Sequence, residues 1–228
     1  MQHIEKHFTG SQKIRDIVIG MSDGLTVPFA LTAGLTGAVT SNMIIITAGM
    51  AEIIAGSIAM GLGGYMAGVT DYQHYQSEKK REFWEVEHLA EKEKEEIREI
   101  LSTYGVKSES QERFVEDLSK SPEKWVDFMM RFELNLEEPE INRARNSALL
   151  IAISYVVGGL VPLSAYFFTS TPFTGLYFSV AITLLALFTF GYLKSRVTGQ
   201  PPIAGALKTT LIGALASAAA FLIARLIS

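Results

Sequence analysis

The sequence predicts an all-α membrane protein in which five transmembrane helices carry an acidic, three-helix cytoplasmic domain between the second and third spans. Two observations lead to this prediction. Hydrophobic residues make up 48% of the 228 positions, and many of them fall in long runs. The charges are segregated as well, because 20 of the 24 acidic residues and 13 of the 20 basic residues lie between positions 71 and 145.

The apolar runs are long enough to cross a bilayer as helices, since about 20 helical residues at 1.5 Å each span a hydrocarbon core of about 30 Å. Five such runs cover about 17–38, 43–69, 147–169, 175–193 and 203–224. The first run lacks a convincing cleavage site, so we expect it to stay in the mature protein. The resulting domain boundaries are 1–70 for the first two spans, 71–145 for the acidic domain and 146–228 for the last three spans.

Basic residues outside the spans predict the orientation, because cytoplasmic loops are enriched in Lys and Arg. Lys13 and Arg15 precede the first span, and Lys194 and Arg196 precede the last. We therefore expect the N-terminus and the acidic domain in the cytoplasm and the C-terminus outside. An odd number of spans without an internal repeat leaves no symmetric pathway within one chain, so we also expect a homodimer.

Composition excludes several classes of function. The formal net charge of −4 argues against a nucleic-acid partner, and the absence of cysteine excludes iron–sulfur clusters, CxxC zinc sites and thiol nucleophiles. The sequence also has no phosphate-cradling loop, dinucleotide fingerprint or evident nucleophile–base pair. An ordinary soluble enzyme and a prosthetic group therefore have no support.

Two acidic residues fall inside the predicted spans, Asp23 in the first and Glu52 in the second. A charged group in a span costs about 2.5–3.5 kcal/mol on insertion scales, so such residues usually have a function. Nearby Pro28 lacks a backbone donor and is expected to break the first helix, which would expose carbonyl oxygens. The alternative is that both acids are neutral and hydrogen-bonded between helices.

A possible ligand face follows on the second span, where Glu52, Gly56 and Met60 recur every four residues. Gly56 is expected to leave space between the carboxylate and the thioether. A hard and a soft ligand together favour a divalent transition-metal ion over Mg²⁺ or Ca²⁺. The same carboxylates could carry protons, and Met60 could simply pack against apolar neighbours.

Three helices are predicted in the acidic domain. The first covers about 72–104, and no break separates it from the second span, so the two are expected to form one long helix. A second helix is expected after Ser108, with Gln111 as its capping-box partner. The third is expected over about 121–136, with a proline in its first turn.

Glutamates repeat along the first of these helices. Two pairs at i,i+3 start eleven residues apart, close to three helical turns, and they are Glu82 with Glu85 and Glu93 with Glu96. The four carboxylates are expected on one face, where they repel one another unless cations or a partner helix neutralise them. The third helix can supply ligands opposite them from Met129, Met130 and Glu133. A solvated helix laced with ion pairs is the alternative.

Taken together, these segments resemble the vacuolar iron transporter family. The resemblance lies in IVIGMSDGLTVPFALTAGL on the first span, AEIIAGSIAMGLGGYMA on the second, the glutamate-rich helix, FMMRFELNL and the five-span order. It implies a dimeric antiporter that moves Fe²⁺ out of the cytosol in exchange for protons, with Mn²⁺, Zn²⁺ and Co²⁺ as alternative ions. The absence of a long N-terminal extension favours a prokaryotic plasma membrane over a vacuole.

The same resemblance implies roles for ten residues. Metal-binding positions of the cytoplasmic domain fall on Glu82, Glu85, Glu93, Glu96, Met129, Met130 and Glu133. Positions of the translocation pathway between protomers fall on Asp23, Glu52 and Met60. The domain is expected to concentrate Fe²⁺ and deliver it to the pathway, where metal and protons compete for the carboxylates.

Three rival functions stay open at this point. Glu85 and His88 form an ExxH motif, which is half of the pattern expected of a membrane-tethered di-iron carboxylate enzyme. A metal sensor without transport and a channel that conducts Fe²⁺ downhill are the other two. Metal flux would exclude the sensor, and dependence on a pH gradient would separate the antiporter from the channel.

Overall fold

The computed structural model describes residues 11–140 and 142–227, and every regular element within these residues is an α-helix. Their bounds are α1 Ser11–Ala38, α2 Asn42–His88, α3 Ala90–Thr103, α4 Ser108–Leu118, α5 Pro122–Phe132, α6 Arg143–Phe167, α7 Pro172–Val197 and α8 Pro202–Ile227. Five of these helices, α1, α2, α6, α7 and α8, are long and apolar enough to cross a membrane. The all-α class and the five predicted spans are thereby confirmed.

The expected break at Pro28 is wrong, because α1 continues through it from Ser11 to Ala38. A proline removes one backbone hydrogen bond, and transmembrane helices tolerate this loss when neighbouring helices pack closely. A Cβ added to Gly159 of α6 would lie 3.1 Å from Cγ of Pro28, so α6 supplies that close packing. A second proline, Pro162, is likewise accommodated inside α6.

The chain divides into two compact units, Met1–Tyr65 with Arg145–Ser228 and Met66–Ala144. The first unit, which we call the membrane unit, contains α1, α7, α8 and most of α6, together with the first half of α2. The second, which we call the acidic unit, contains the rest of α2 and helices α3 to α5.

Glycines of α2 let it approach α6 within the membrane unit. A Cβ on Gly49 would meet the side chain of Leu163, and one on Gly64 would meet Cδ1 of Ile151 at 2.6 Å. Gly63 differs, since a Cβ there would meet nothing within 4 Å among the described residues. Most of the small residues of α2 are therefore used within one chain, and they give no separate support to a dimer.

The acidic unit begins as a continuation of the second span, as predicted, because α2 runs without interruption to His88. The expected continuation to about residue 104 is wrong, since the helix stops at Leu89 and α3 starts at Ala90. Leu89 has φ −125° and ψ 31°, outside the helical range. No proline or glycine marks this break, so its cause is tertiary packing.

A small apolar core holds these helices together. Its most buried members come from all four helices of the unit and are Tyr75, Val86, Ile97, Val115, Trp125, Val126, Met129 and Met130. Helix α5 starts with a proline as predicted, but it ends at Phe132 rather than near residue 136, followed by Asn135 in the left-handed region at φ 53°. The chain changes direction after Phe132 because Asn135 leaves the right-handed helical conformation.

The expected capping box of α4 is wrong. Gln111 is buried, and its Nε2 donates to the carbonyl oxygen of Val106 at 2.8 Å and to Oγ of Ser102 at 2.9 Å. These contacts join the start of α4 to the end of α3, so the side chain holds the α3–α4 connection instead of capping a helix.

We expect Gln111→Ala to lower the free energy of unfolding of the acidic unit by about 1–3 kcal/mol, because it removes two hydrogen bonds at a buried position. Both tryptophans of the chain, Trp84 and Trp125, lie in this unit, so intrinsic fluorescence of the full-length protein in detergent reports on it selectively. Gln76→Ala makes the same change at an exposed position of α2 and is the control. Equal losses in the two variants would contradict the assignment.

Candidate functional site

Carboxylates of the acidic unit converge in two overlapping groups of three. Glu82, Glu85 and Glu93 each place one carboxylate oxygen within 4.8 Å of the other two, and so do Glu93, Glu96 and Glu133. Glu93 belongs to both groups. We call these groups the first and second trio, and each could supply three carboxylate oxygens to a divalent cation.

The break at Leu89 makes the first trio possible. In an uninterrupted helix the eleven residues from Glu82 to Glu93 would separate their Cα atoms by about 16 Å along the axis. Ligand oxygens 4.8 Å apart are incompatible with that separation. The predicted single carboxylate face is therefore wrong in its geometry. The glutamates lie close together because the chain turns back and brings α3 beside α2.

Glu82 and Glu93 are the most enclosed members, with 1% and 0% of their surfaces exposed. All four of their carboxylate oxygens are buried, and none has a hydrogen-bond partner among the described residues. A buried carboxylate without partners is costly unless a proton or a cation neutralises it. A cation bound between these carboxylates would neutralise their charge and reduce the cost of burying them.

Two basic residues compensate part of the negative charge. Arg81 lies 3.7 Å from oxygens of both Glu82 and Glu85, and Lys92 pairs with Glu96 at 2.8 Å. Both basic side chains extend into solvent, so exposed ion pairs exist here as the alternative interpretation expected. These exposed pairs leave Glu93 without a basic partner among the described ion pairs.

Burial is the largest cause of the raised pKa values of the glutamates in this site. Desolvation, followed by the negative charges of Glu133 and Glu85, raises the pKa of Glu82 from its ordinary 4.5 to about 7. Desolvation, followed by the charges of Glu96 and Glu82, raises the pKa of Glu93 to about 7 as well. The pKa of Glu133 is also raised, again mainly by desolvation. Each shift favours the neutral acid in the metal-free protein.

The two methionines expected as ligands lie in the apolar core. Met129 and Met130 are 0% and 1% exposed and pack with Trp125 and Val126. Glu133 follows them on the same segment and belongs to the second trio. The structure thus brings the five glutamates together, whereas the methionine sulfurs have a packing role in it and their ligand role stays a prediction.

In the membrane unit Glu52 is held from α6. Its Oε1 accepts a hydrogen bond from the hydroxyl of Tyr155, and its Oε2 is buried without a partner among the described residues. Asp23 and Met60 are half-buried, on α1 and α2 respectively. No hydrogen bond joins Asp23 to Glu52 among the described residues, and Met60 lies about two helical turns from Glu52 on α2.

The space expected over Gly56 is filled, which corrects that prediction. A Cβ on Gly56 would lie 2.6 Å from Cζ of Tyr155 and would overlap its hydroxyl. Sequence reasoning missed Tyr155, although a signal existed. Tyrosines of spans concentrate at the membrane interfaces, and this one lies near the middle of α6.

Comparison with known proteins decides the family. A profile described as the VIT family matches residues 14–225. Vacuolar iron transporter 1 of Tulipa gesneriana is 52% identical over 224 residues, covering 98% of this chain and 91% of the relative. The chain belongs to the vacuolar iron transporter family. Vacuolar iron transporter 1 of Arabidopsis thaliana is 51% identical over 99% of this chain and 90% of the relative, and protein CCC1 of Saccharomyces cerevisiae is 40% identical over 94% and 69%.

Membership of the vacuolar iron transporter family confirms the resemblance and rules out the enzyme, since the family and these relatives are transporters. The geometry agrees for His88, the histidine of the ExxH motif. Its Nδ1–H donates to the carbonyl oxygen of Trp84 at 2.8 Å and its ring stacks on the Trp84 ring at 4.7 Å. His88 belongs to neither trio, so the di-iron interpretation is wrong.

We expect the metal-free acidic unit of this transporter to lose stability as pH rises through 7. The pKa values of Glu82 and Glu93 are raised from 4.5 to about 7, so the folded state binds more protons than the unfolded state between these values. Stability from this source is complete below pH 4.5 and is lost above 7. Tryptophan-monitored denaturation of full-length protein in EDTA measures it.

Glu93→Gln should reduce that pH dependence by about half, because it removes one of the two strongly shifted groups. Glu99→Gln makes the same change at an exposed position of α3 and should leave the pH dependence as in the wild type. A wild-type stability that is flat or rising between pH 5 and 8 would contradict the expected protonation.

Proposed function

We propose that the protein exports Fe²⁺ from the cytosol in exchange for protons, with Mn²⁺ as an alternative ion. The observation that carries this proposal is the pair of trios that share Glu93, which is buried and has no hydrogen-bond partner among the described residues. The names of relatives 51–52% identical over nearly the whole chain support iron as the ion. Oxygen-rich trios suit Fe²⁺ and Mn²⁺, which differ only slightly in affinity order.

Capture by the acidic unit is the first proposed step. The two trios together offer five carboxylates, and we propose that two ions bound there would share Glu93 as a ligand. Met129 and Met130 are proposed as additional soft ligands for Fe²⁺, Zn²⁺ or Co²⁺, which requires their sulfurs to turn out of the core. The resemblance supports that role, and their position beside Glu133 in the chain is consistent with it.

Exchange of metal for protons follows from the chemistry of the ligands. A carboxylate must lose its proton to bind a cation, so metal binding releases protons. The pKa values near 7 of Glu82 and Glu93 place this exchange in the physiological range. We propose the same competition at Asp23 and Glu52 in the membrane, where alternation between ion and proton couples the two flows.

Orientation and assembly complete the proposal. We propose that the N-terminus and the acidic unit face the cytosol and the C-terminus lies outside, as the distribution of Lys and Arg predicts. We also propose a homodimer with Asp23, Glu52 and Met60 of both protomers along the pathway, and the odd number of five spans without an internal repeat supports it. The relatives come from plants and fungi, so they give no support to a prokaryotic plasma membrane.

Metal binding should stabilise the acidic unit and should depend most on the shared glutamate. At pH 7.5 and a concentration 100 times the dissociation constant, Mn²⁺ should raise the free energy of unfolding by about 2.7 kcal/mol. Glu93→Gln should abolish most of this gain, because both trios lose a ligand, and Glu82→Gln should remove only part. Tryptophan-monitored denaturation measures the gain, with Glu99→Gln as control. Full stabilisation of Glu93→Gln would refute the shared role.

Transport itself is tested in sealed proteoliposomes that contain a pH-reporting dye. We expect Fe²⁺ entry with counterflow of protons, weaker entry of Mg²⁺, and loss of nearly all transport in Asp23→Ala. Asp117→Ala, an exposed acid paired with Lys120 in the acidic unit, is the control and should transport normally.

Each other outcome of this assay points to a different function. Absence of flux from a folded protein would favour the sensor. Flux that ignores the proton gradient would favour the channel. Full transport by Asp23→Ala would remove Asp23 from the proposed pathway.

A further inference from the structure

One oxygen of the Glu52 carboxylate accepts a hydrogen bond, and the other accepts none among the described residues. Tyr155 donates its hydroxyl hydrogen to Oε1, while Oε2 is buried without a partner among the described residues. Tyr155 has no part in the proposed transport cycle. The asymmetry of the two oxygens is therefore a feature that the proposed function leaves unexplained.

Tyr155 is fixed in place by close contacts with two other helices. Its backbone lies against Gly24 of α1, where an added Cβ would come within 2.9 Å of its Cα, and its ring lies over Gly56 of α2. Only 3% of the tyrosine surface is exposed. The phenol therefore has little freedom to leave Glu52, and its position is set by the crossing of α1, α2 and α6.

We infer that Tyr155 is a positioning residue that holds Oε1 of Glu52 and so leaves Oε2 as the oxygen that binds Fe²⁺. Hydrogen-bonded partners of metal-ligating groups hold the ligand in one orientation and strengthen binding. The phenol performs this task for Glu52 by holding Oε1. Gly56 has a supporting part, because a side chain at that position would push the hydroxyl away from the carboxylate.

This inference also explains why Glu52, Gly56 and Met60 share a face of α2. The glycine does not leave a gap for the ion, as its spacing suggested. It makes room for the ring of Tyr155, which reaches across α2 to the carboxylate one turn away. The ligand face is thus built by two helices, with the acid on α2 and its orienting group on α6.

The inference rests on the proposed function and is tested by the kinetics of Fe²⁺ uptake into proteoliposomes. Tyr155→Phe keeps the ring and removes the hydroxyl, so we expect KM for Fe²⁺ to rise about 10–100-fold with kcat nearly unchanged. Tyr166→Phe is the matched control, since Tyr166 is a buried tyrosine of the same helix whose hydroxyl bonds Thr36. Its KM should equal that of the wild type.

Gly56→Ala is a second test of the inference, and it leaves Tyr155 unchanged. It should raise KM in the same way by displacing the hydroxyl, whereas Gly63→Ala, where an added Cβ meets nothing within 4 Å among the described residues, should leave KM unchanged. A purely structural effect would lower the amount of active protein and reduce kcat without moving KM. That split separates positioning from damage to the fold.

The results distinguish this inference from the proposed function. If Glu52→Gln is inactive and both Tyr155→Phe and Gly56→Ala keep the wild-type KM, the positioning role is overturned and the proposed function stands. Equal rises of KM in Tyr155→Phe and Tyr166→Phe would overturn it too, because the effect would then be general to buried hydroxyls. Full transport by Glu52→Gln would overturn the proposed pathway itself.

Discussion

Enclosing Glu82 and Glu93 away from water is the constraint on which the acidic unit depends. Their carboxylates have no hydrogen-bond donor among the described residues, and further glutamates surround them. A fold optimised for stability alone would place apolar side chains there, because burying a charge without a partner is unfavourable. In the metal-free unit the raised pKa values of Glu82 and Glu93 favour the neutral acids, and a bound cation would provide the missing favourable interactions.

The break at Leu89 and the small apolar core follow from that constraint. Carboxylates eleven residues apart converge only if the chain reverses, and the reversal holds only if α3 has something to pack against. Ile97 of α3 and Met129 and Met130 of α5 supply that packing. The buried acid of the membrane unit has a different environment. Its Glu52 accepts a hydrogen bond on one oxygen from Tyr155 of the neighbouring helix α6.

Much of the architecture could be predicted from the sequence, because hydrophobic runs and charge segregation act locally and leave a clear pattern. The five membrane helices and the extension of α2 beyond its span are of this kind. The regular spacing of Glu82, Glu85, Glu93 and Glu96 also indicated that these residues belong together, although it suggested a single helical face instead of two helices.

The features that were missed depend on contacts between distant segments. Leu89 lies in a helical pattern without glycine or proline, so only packing could show that the helix ends there. Pro28 was given too much weight, because the close approach of Gly159 stabilises the helix around it. Tyr155 is about a hundred residues from Glu52 in the chain, and no periodicity links two residues on different helices.

Arg81 gives the first trio a property that its glutamates alone would lack. The guanidinium already places one positive charge 3.7 Å from Glu82 and from Glu85. A monovalent ion offers these carboxylates no more charge than they already have nearby, whereas a divalent ion doubles it at shorter range. Arg81 therefore competes more effectively with Na⁺ or K⁺ than with a divalent ion for these carboxylates.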